Sequence, residues 1–436
     1  MSDRDVERGK FYGKKKFNAH RSDRDQKQFG RNRTLFKTDK EPKPDDADAK
    51  NKMKHPQILI KAREKIEDHS LSPKHVKEKE EATSSKEVLA TTESNVQLFH
   101  TAKQMHKAIK LLDDGILYYD SLQDYTNDTS DFLVIGVIGT QGVGKSTVMN
   151  MLATEKFHTV NKSQNGCSEA KASEKGQHCI FKLETADDYE NCSHTTNGID
   201  MYITENRTIL LDCQPFLSSS VMDELAHNDL KRSNLLSTAE HFGELQGLQH
   251  IAFLMSVCHI IIFTQDFFID PNSVRFLLTA EMLKPTMTNN EEEFLEQCPH
   301  LLILHTKAPL EDFTQARFKQ IQHTYRNIFK SSKFLLESSL GLGTGKIIPT
   351  LNEEKCGAAI NLFLLPDFDS YEESICHGYP PLEQLVKTLR RNLSCVTKFP
   401  LSHVPLTEKT WLSYCTKVWD HVKKSSFYVE YAKVLP

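Results

Sequence analysis

The sequence has no apolar run long enough to cross a membrane. The longest, IAFLMSVCHIIIF at 251–263, contains His259 and falls short of the roughly 20 residues that a transmembrane helix needs. The charged-then-apolar pattern of a signal peptide is also missing from its start. Both absences argue against a membrane protein, and we expect a soluble, cytoplasmic one.

Cysteine patterns typical of metal sites or disulfide frameworks are missing as well. All ten cysteines follow residue 166, and no two of them stand at CxxC spacing. Cys213 and Cys258 lie inside apolar, strand-like runs, which is typical of buried, reduced thiols. We therefore expect neither structural zinc nor disulfide bridges.

Residues 1–93 have few aliphatic side chains and many charges of both signs. Residues 1–40 carry 13 Lys and Arg against 6 Asp and Glu, a local net charge of +7 in a chain whose total is −4. Such a composition buries too little apolar surface to offset its conformational entropy, so residues 1–93 are predicted to be mostly disordered, with room for one short helix near residues 58–68. The basic start favours a solubilising tail over a contact with nucleic acid or an acidic partner, and we expect no sequence-specific nucleic-acid binding.

After residue 93 the pattern becomes that of a folded protein. Residues 94–130 place apolar side chains close to a 3.6-residue period, which predicts one or two amphipathic helices. Residues 131–395 alternate apolar, β-branched runs such as FLVIGVIG (132–139) with helical stretches. This alternation predicts a doubly wound, mostly parallel α/β sheet, with insertions near 285–297 and 338–358.

The C-terminal residues 396–436 are predicted to form a short helical segment rich in aromatic side chains. In WLSYCTKVWDHV the spacing of residues 411, 414, 415 and 418 puts one apolar stripe on a helix. Both tryptophans of the chain, Trp411 and Trp419, lie here. Two interpretations stay open: the helix completes the protein's own core, or it anchors a protein partner.

The stretch VIGVIGTQGVGKSTVMN (134–150) contains a complete GxxxxGKS motif between a predicted strand and a predicted helix. Glycines in such a loop let backbone amides turn around phosphates, and the start of the following helix favours anions. This predicts a P-loop NTPase fold resembling a G domain, in which Lys145 reaches the β- and γ-phosphates and the Ser146 hydroxyl ligates Mg²⁺. The predicted nucleotide-binding residues of the loop are Gly139, Thr140, Gln141, Gly142, Val143, Gly144, Lys145, Ser146 and Thr147.

Three residues beyond the loop complete the predicted site. Asp212 ends the strand TILLD, where a P-loop protein needs a carboxylate on the metal side, although it could merely cap a turn. Thr195 or Thr196 precedes a glycine and a strand, as does the threonine with which a GTPase switch closes over Mg²⁺, although TTNG taken alone is only a turn. Ser146, Thr196 and Asp212 are thus the predicted metal ligands, and Lys307 is predicted to lie over the base. The expected cofactors are Mg²⁺ and a purine nucleotide (GTP, GDP or ATP).

Several positions depart from the pattern of an active GTPase. The usual DxxG appears as DCQP, in which Pro215 has no amide to donate, and Phe216 follows where small GTPases keep a water-orienting glutamine. Gln141 replaces a loop glycine and could crowd the γ-phosphate. The base-reading NKxD appears as HTKA (305–308) without its carboxylate, so the choice between guanine and adenine stays open. These changes favour binding over turnover, and no residue is predicted to be catalytic.

Two weaker signals have ordinary structural interpretations. The glycines of GLGTGK (341–346) favour a flexible insertion over a second phosphate loop, because no strand and helix flank them. Phe253, Phe263, Phe267 and Phe268 favour a place in the core over a ligand-facing surface.

Within residues 96–436, four stretches resemble the SMG-nine family of nonsense-mediated mRNA decay factors. They are VIGVIGTQGVGKSTVMN, LDCQPFLSSSVMDE, the run from LQGLQH to TAEMLKP, and LTEKTWLSYCTKVWDHVKKSSFYVEYAKVLP. The resemblance implies a regulatory G-like domain that pairs with the G-like domain of SMG-eight and binds the kinase SMG-one, which phosphorylates the helicase UPF-one. His305 stands where this family more often has asparagine. The family's nucleotide-site positions fall here on Gly139, Gly142, Gly144, Lys145, Ser146, Thr196, Asp212 and Lys307.

Two other function classes fit the motif less well. An active large GTPase of the dynamin or guanylate-binding class needs a long helical stalk, and the residues after 395 are too few for one. A small-molecule or nucleoside kinase needs an arginine-rich lid, for which no clustered candidate stands out.

Overall fold

The computed structural model describes residues 102–154, 179–230, 239–284, 298–366 and 380–433. The predicted disorder of residues 1–93 and the predicted insertion at 285–297 lie outside these ranges. The described residues form one sheet of eight strands with eleven α-helices. None of these helices combines the length and the apolar character that crossing a bilayer requires.

The eight strands are β1 (Ile109–Asp113), β2 (Ile116–Leu117), β3 (Leu133–Ile138), β4 (Ile199–Ile203), β5 (Thr208–Cys213), β6 (Ile260–Gln265), β7 (His300–Ala308) and β8 (Leu362–Pro366). The helices are α1 (Tyr119–Leu122), α2 (Lys145–Ala153), α3 (Ala186–Glu190), α4 (Ser219–Leu230), α5 (Ala239–Val257), α6 (Pro271–Leu283), α7 (Gln315–Ile328), α8 (Glu353–Cys356), α9 (Leu382–Ser394), α10 (Glu408–Lys424) and α11 (Ser426–Ala432).

The strand order is β2-β1-β4-β5-β3-β6-β7-β8. Five neighbouring strands run parallel, namely β5, β3, β6, β7 and β8. At one end of the sheet, β4, β1 and β2 add antiparallel strands. Every residue of β3 and β6 is buried, as expected for strands covered on both faces. The predicted α/β class and mostly parallel sheet are therefore confirmed.

The predicted helix over 94–130 is wrong for most of its described length. The strands β1 and β2 form a hairpin around Asp114 and Gly115, whose φ angles of +45° and +73° suit a two-residue hairpin turn. Leu111 and Leu112 are both fully buried, and β1 extends the sheet through β4. The apolar spacing fitted a helix by coincidence, because the Asp-Gly turn signal outweighs a loose 3.6-residue period.

The segment 338–358 is packed into the protein, so the expectation of a flexible insertion is wrong. Leu340 and Leu351 are fully buried. The Asn361 Oδ1 atom accepts hydrogen bonds from the backbone amides of Ser338 (2.9 Å) and Leu340 (3.3 Å). Buried leucines and a buried amide hold this segment, although its glycines alone suggested flexibility.

The aromatic residues singled out in 253–268 differ in their environments. Phe253 and Phe263 are fully buried, which confirms the interpretation as core. Phe268 packs against the core, whereas Phe267 keeps 56% of its surface exposed. Phe267 therefore stays available to a ligand or partner.

The C-terminal helix α10 completes the protein's own core. Trp411 is fully buried, and its Nε1 atom donates to the Val257 carbonyl at the end of α5 (3.0 Å). Trp419 meets Phe253 of α5 edge-on, with ring centroids 5.7 Å apart. Both tryptophans are thus buried inside the molecule, which confirms the interpretation as core for this stripe.

The start of α10 is held by a buried ion pair. Glu408 is fully buried and accepts hydrogen bonds from the Arg207 guanidinium and from the Asn127 backbone amide (2.8 Å). Arg207 lies in the turn between β4 and β5 and also donates to the Tyr125 carbonyl (3.1 Å). The pair joins the C-terminal helix to the β4–β5 hairpin.

Stability is expected to fall as the pH drops from about 6.5 to about 4. Burial lowers the pKa of His250, His259 and His305 to about 4 each. In this pH range these histidines bind protons in the unfolded chain but stay neutral in the folded protein, so a falling pH favours unfolding. Asp212 and Asp200 oppose the trend, because burial raises the pKa of Asp212 to about 6 and also raises that of Asp200. These two carboxyls are outweighed by the three imidazoles together with His194 and His300, whose pKa values burial also lowers.

The check is chemical denaturation at several pH values for the wild type and His250→Leu. Between pH 4 and 6.5, the unfolding free energy of the variant should change by about 1.4 kcal/mol less per pH unit than that of the wild type. Leu248→Val, a buried position on the same helix without an ionisable group, is the control and should keep the wild-type slope. Identical slopes in His250→Leu and the wild type would contradict the assignment.

Candidate nucleotide-binding site

A tight loop connects the central strand β3 to α2, as the sequence predicts. Gly144 adopts φ +83°, in the left-handed region that disfavours other residues. A Cβ atom on Gly139 would lie 2.6 Å from the Thr264 carbonyl oxygen, so only glycine fits there. The predicted order of strand, glycine loop and helix is therefore confirmed. Nucleotide binding by this loop stays a prediction.

Lys145 begins α2 and points its charge into the loop. Its side chain is largely buried, and its Nζ atom donates to the Thr140 carbonyl (2.8 Å). Burial lowers the pKa of Lys145, while the nearby Asp212 carboxylate opposes that shift. A poorly solvated cation inside a loop of backbone amides is favourable only beside an anion.

The three predicted metal ligands meet in one cluster. The Ser146 and Thr196 hydroxyls both donate to Asp212 Oδ2, at 2.6 Å and 3.2 Å, and the two hydroxyl oxygens lie 3.4 Å apart. Ser146 comes from the start of α2, Thr196 from the segment before β4, and Asp212 from β5. The alternative role of Asp212 as a turn cap is excluded, since its side chain bonds to these hydroxyls.

This cluster fits a magnesium ion. Asp212 Oδ1 is buried and has no hydrogen-bond partner among the described residues, and burial raises the pKa of this carboxyl to about 6. An adjacent cation would offset both penalties. Mg²⁺ usually takes one or two carboxylates and fills its remaining positions with water and phosphate oxygens, which matches one carboxylate and two hydroxyls.

Gln141 links the loop to the segments on either side of it. Its Nε2 atom donates to the Cys192 carbonyl (3.0 Å), and its Oε1 atom accepts from the Ser218 hydroxyl (2.6 Å). These partners precede Thr196 and follow Asp212 in the chain. Sequence reasoning noted the missing glycine at 141 but not this bridge, because both partners are distant in sequence.

The segment after Asp212 is fixed against the protein by an aromatic contact. Phe216 is buried and stacks on Phe276 of α6, with ring centroids 5.0 Å apart and planes at 12°. The Phe216 amide donates to the Gly139 carbonyl at 3.4 Å. Phe216 is thus committed to the core, and Pro215 before it offers no amide to a phosphate.

At the end of β7, the side chains of His305 and Thr306 contact different parts of the protein. His305 is fully buried, with Nε2 2.8 Å from the Tyr325 hydroxyl, which in turn donates to Gln265 Oε1 (2.6 Å). The next residue, Thr306, donates instead to the Val143 carbonyl in the loop (2.8 Å). Because side chains alternate along a strand, Thr306 rather than His305 contacts the loop, a signal that sequence reasoning missed.

Lys307 lies apart from the metal-side cluster. It follows Thr306 near the end of β7, about half of its side chain is exposed, and its Nζ atom is 3.8 Å from Asp266 Oδ2. Its neighbour Thr306 contacts the loop, whereas the charge of Lys307 lies nearest to Asp266 at the end of β6. Its contact with a base stays a prediction.

Comparison with known proteins places the chain in a family. No family model matches the sequence. The curated "Nonsense-mediated mRNA decay factor SMG9" of Salmo salar is 34% identical over 358 residues, covering 76% of this chain and 68% of that protein. The Xenopus laevis protein of the same name is 33% identical over 359 residues with the same coverage, and that of Caenorhabditis elegans is 25% identical over 317 residues. The chain therefore belongs to the SMG9 (SMG-nine) family.

Proposed function

We propose that this chain is a nucleotide-binding regulatory and scaffold subunit in nonsense-mediated mRNA decay. The names of its relatives support the pathway. The main observation in support of the nucleotide site is that the side chains of Ser146, Thr196 and Asp212 contact one another where the loop 139–144 leads into α2. Three separate segments bring oxygen ligands to one point beside Lys145.

The strand order supports a P-loop NTPase fold of the G-domain type. The chain leaves the central strand β3 for β4 and β5 on one side and later for β6 on the other. Ligands of open α/β sheets bind at such a switch point, outside the carboxyl ends of the strands. The loop 139–144 leaves β3 at that end, so the motif and the topology select the same position.

The residues of the site have separate roles toward a purine nucleotide, GTP, GDP or ATP. Lys145 would exchange its bond to the Thr140 carbonyl for bonds to the β- and γ-phosphate oxygens. Ser146, Thr196 and Asp212 would hold Mg²⁺, and the ion would supply positive charge beside the phosphates. Burial of Lys145 and Asp212 makes each contact stronger than it would be in water.

Hydrolysis is expected to be negligible. Pro215 has no amide to donate, and Phe216 is stacked on Phe276 where a water-orienting side chain would be needed. Each such loss typically costs about 10²-fold or more in a phosphoryl-transfer site. Phosphate release by the purified chain should stay near the background of buffer with nucleotide. Multiple-turnover release that Ser146→Ala abolishes would overturn this prediction.

The resemblance to the SMG9 family supports a proposal for the partners. We infer that the chain forms a heterodimer with SMG-eight through their G-like domains and binds the kinase SMG-one, thereby acting on UPF-one phosphorylation in the cytoplasm. An affinity-tagged full-length chain, expressed in cells, should copurify both proteins on immunoblots. Recovery of a folded chain with neither partner, under conditions that retain them on a tagged vertebrate SMG9, would refute the assignment.

A further inference from the structure

The described site lacks the carboxylate that normally reads a purine base. In G domains this acid follows the lysine on the same strand, but here Ala308 and Pro309 follow Lys307. The nearest downstream aspartate, Asp312, is buried and paired with Arg317, whose Nε atom is 3.2 Å away. A base held beside Lys307 therefore needs its hydrogen-bond acceptor from another strand.

The neighbouring strand β6 offers such an acceptor at the same edge of the sheet. Gln265 pairs with His305 across β6 and β7, so Asp266 and Thr306 both come one residue further along. The Thr306 hydroxyl also approaches the Gln265 carbonyl (3.3 Å) while it donates to Val143 in the loop. The ends of β6, β7 and the phosphate loop thus converge around Thr306.

Asp266 is open to a ligand at this position. About a third of its side chain is exposed, and the 3.8 Å that separates Oδ2 from Lys307 Nζ is longer than a hydrogen bond. An ionised carboxylate accepts hydrogen bonds only, so these oxygens match N–H donors. The exposed ring of Phe267, directly after Asp266, adds apolar surface of the kind that purines stack on.

We propose that Asp266 is the carboxylate that reads the base of the bound nucleotide. It accepts hydrogen bonds from the N–H groups of the purine, while the stem of Lys307 covers one face of the ring. The ligand class is a purine nucleotide whose base carries an amino group. This inference rests on the proposed nucleotide site and adds the residue that gives it base selectivity.

Guanine and adenine present different donors to such a carboxylate. Guanine offers its N1–H and its 2-amino group side by side, whereas adenine offers only its 6-amino group. Replacing Asp266 by Asn turns one acceptor oxygen into a donor. The variant should therefore reject the natural base and, for a guanine reader, accept xanthine, which has an oxygen at position 2.

The test is calorimetric titration of the nucleotide-free full-length chain with Mg²⁺ and GDP, ADP, xanthosine diphosphate or inorganic tripolyphosphate. Asp266→Asn is compared with Asp128→Asn, which removes another lysine-paired surface carboxylate, 2.7 Å from Lys409. Asp266→Asn should weaken binding of the preferred diphosphate by about 10- to 100-fold, as expected for a hydrogen bond to a charged group. Tripolyphosphate, which has no base, should bind both variants equally and so show an intact phosphate loop.

Two results support the proposal and identify the base. A loss for GDP with a gain for xanthosine diphosphate indicates guanine, and a loss for ADP without that gain indicates adenine. Affinities of Asp266→Asn within twofold of Asp128→Asn for every nucleotide would overturn the proposal while leaving the phosphate site standing. Absence of nucleotide binding in the wild type itself would instead overturn the proposed function and this inference with it.

Discussion

Replacing Lys145 by Ala is expected to abolish nucleotide binding. Its ammonium lies inside the loop, 2.8 Å from the Thr140 carbonyl, and is the cation predicted to contact the β- and γ-phosphates. Charge-assisted hydrogen bonds contribute about 1.5–3 kcal/mol each, so losing two should weaken binding by about 10²- to 10⁴-fold. Isothermal titration with Mg²⁺ and a purine diphosphate measures this loss directly.

Folding of the Lys145→Ala variant should survive. Burial already lowers the pKa of Lys145, which means that the folded protein holds this charge at a cost. The melting temperature of the ligand-free variant should therefore equal or exceed that of the wild type. Lys387→Ala, which removes an exposed lysine on α9, is the matched control and should bind as the wild type does. Unchanged affinity in Lys145→Ala would show that the site is wrongly assigned.

Replacing Trp411 by Ala is expected to cost about 3–5 kcal/mol of unfolding free energy, the range for truncating a large buried aromatic residue. Trp411 is fully buried, donates to the Val257 carbonyl (3.0 Å), and meets Phe132 edge-on, with centroids 6.3 Å apart. The variant loses this packing and leaves the carbonyl without its donor. Urea denaturation followed by circular dichroism measures the change.

Phe427→Ala on α11 provides the contrast. Phe427 is 45% exposed, so its truncation should change the unfolding free energy by no more than about 0.5 kcal/mol. Truncation of the chain after Pro405 removes Trp411 and Trp419 together and should lower the melting temperature sharply. A truncated chain that melts as the wild type does, but no longer copurifies SMG-eight and SMG-one, would contradict the role of α10 as core.

Local sequence predicts the centre of this molecule well. The apolar run of β3, the glycines after it and the Lys-Ser start of α2 determine a strand, a loop and a helix within one short stretch. Thr196, just before β4, and Asp212, near the end of β5, could be selected because the chemistry of the site requires oxygen ligands. Their meeting with Ser146 follows from the parallel pairing of β3 with β5.

Long-range contacts set what local sequence does not determine. Thr306 contacts the loop, and His305 does not, because of the side-chain alternation of β7. The bond between Arg207 and Glu408 joins residues that are far apart in the chain, and no spacing rule reveals it. The β1–β2 hairpin was misread because residues that fit a helical period are equally able to alternate on a short strand.

The most direct test of the central claim is the identity of the small molecule released when the purified full-length chain is denatured. Liquid chromatography with mass spectrometry should find an intact purine nucleoside diphosphate or triphosphate in near-stoichiometric amount from the wild type and none from Lys145→Ala. Absence of nucleotide from the wild type, with no uptake on incubation with Mg²⁺ and excess GTP, GDP, ATP or ADP, would contradict the claim that this chain is a nucleotide-binding subunit.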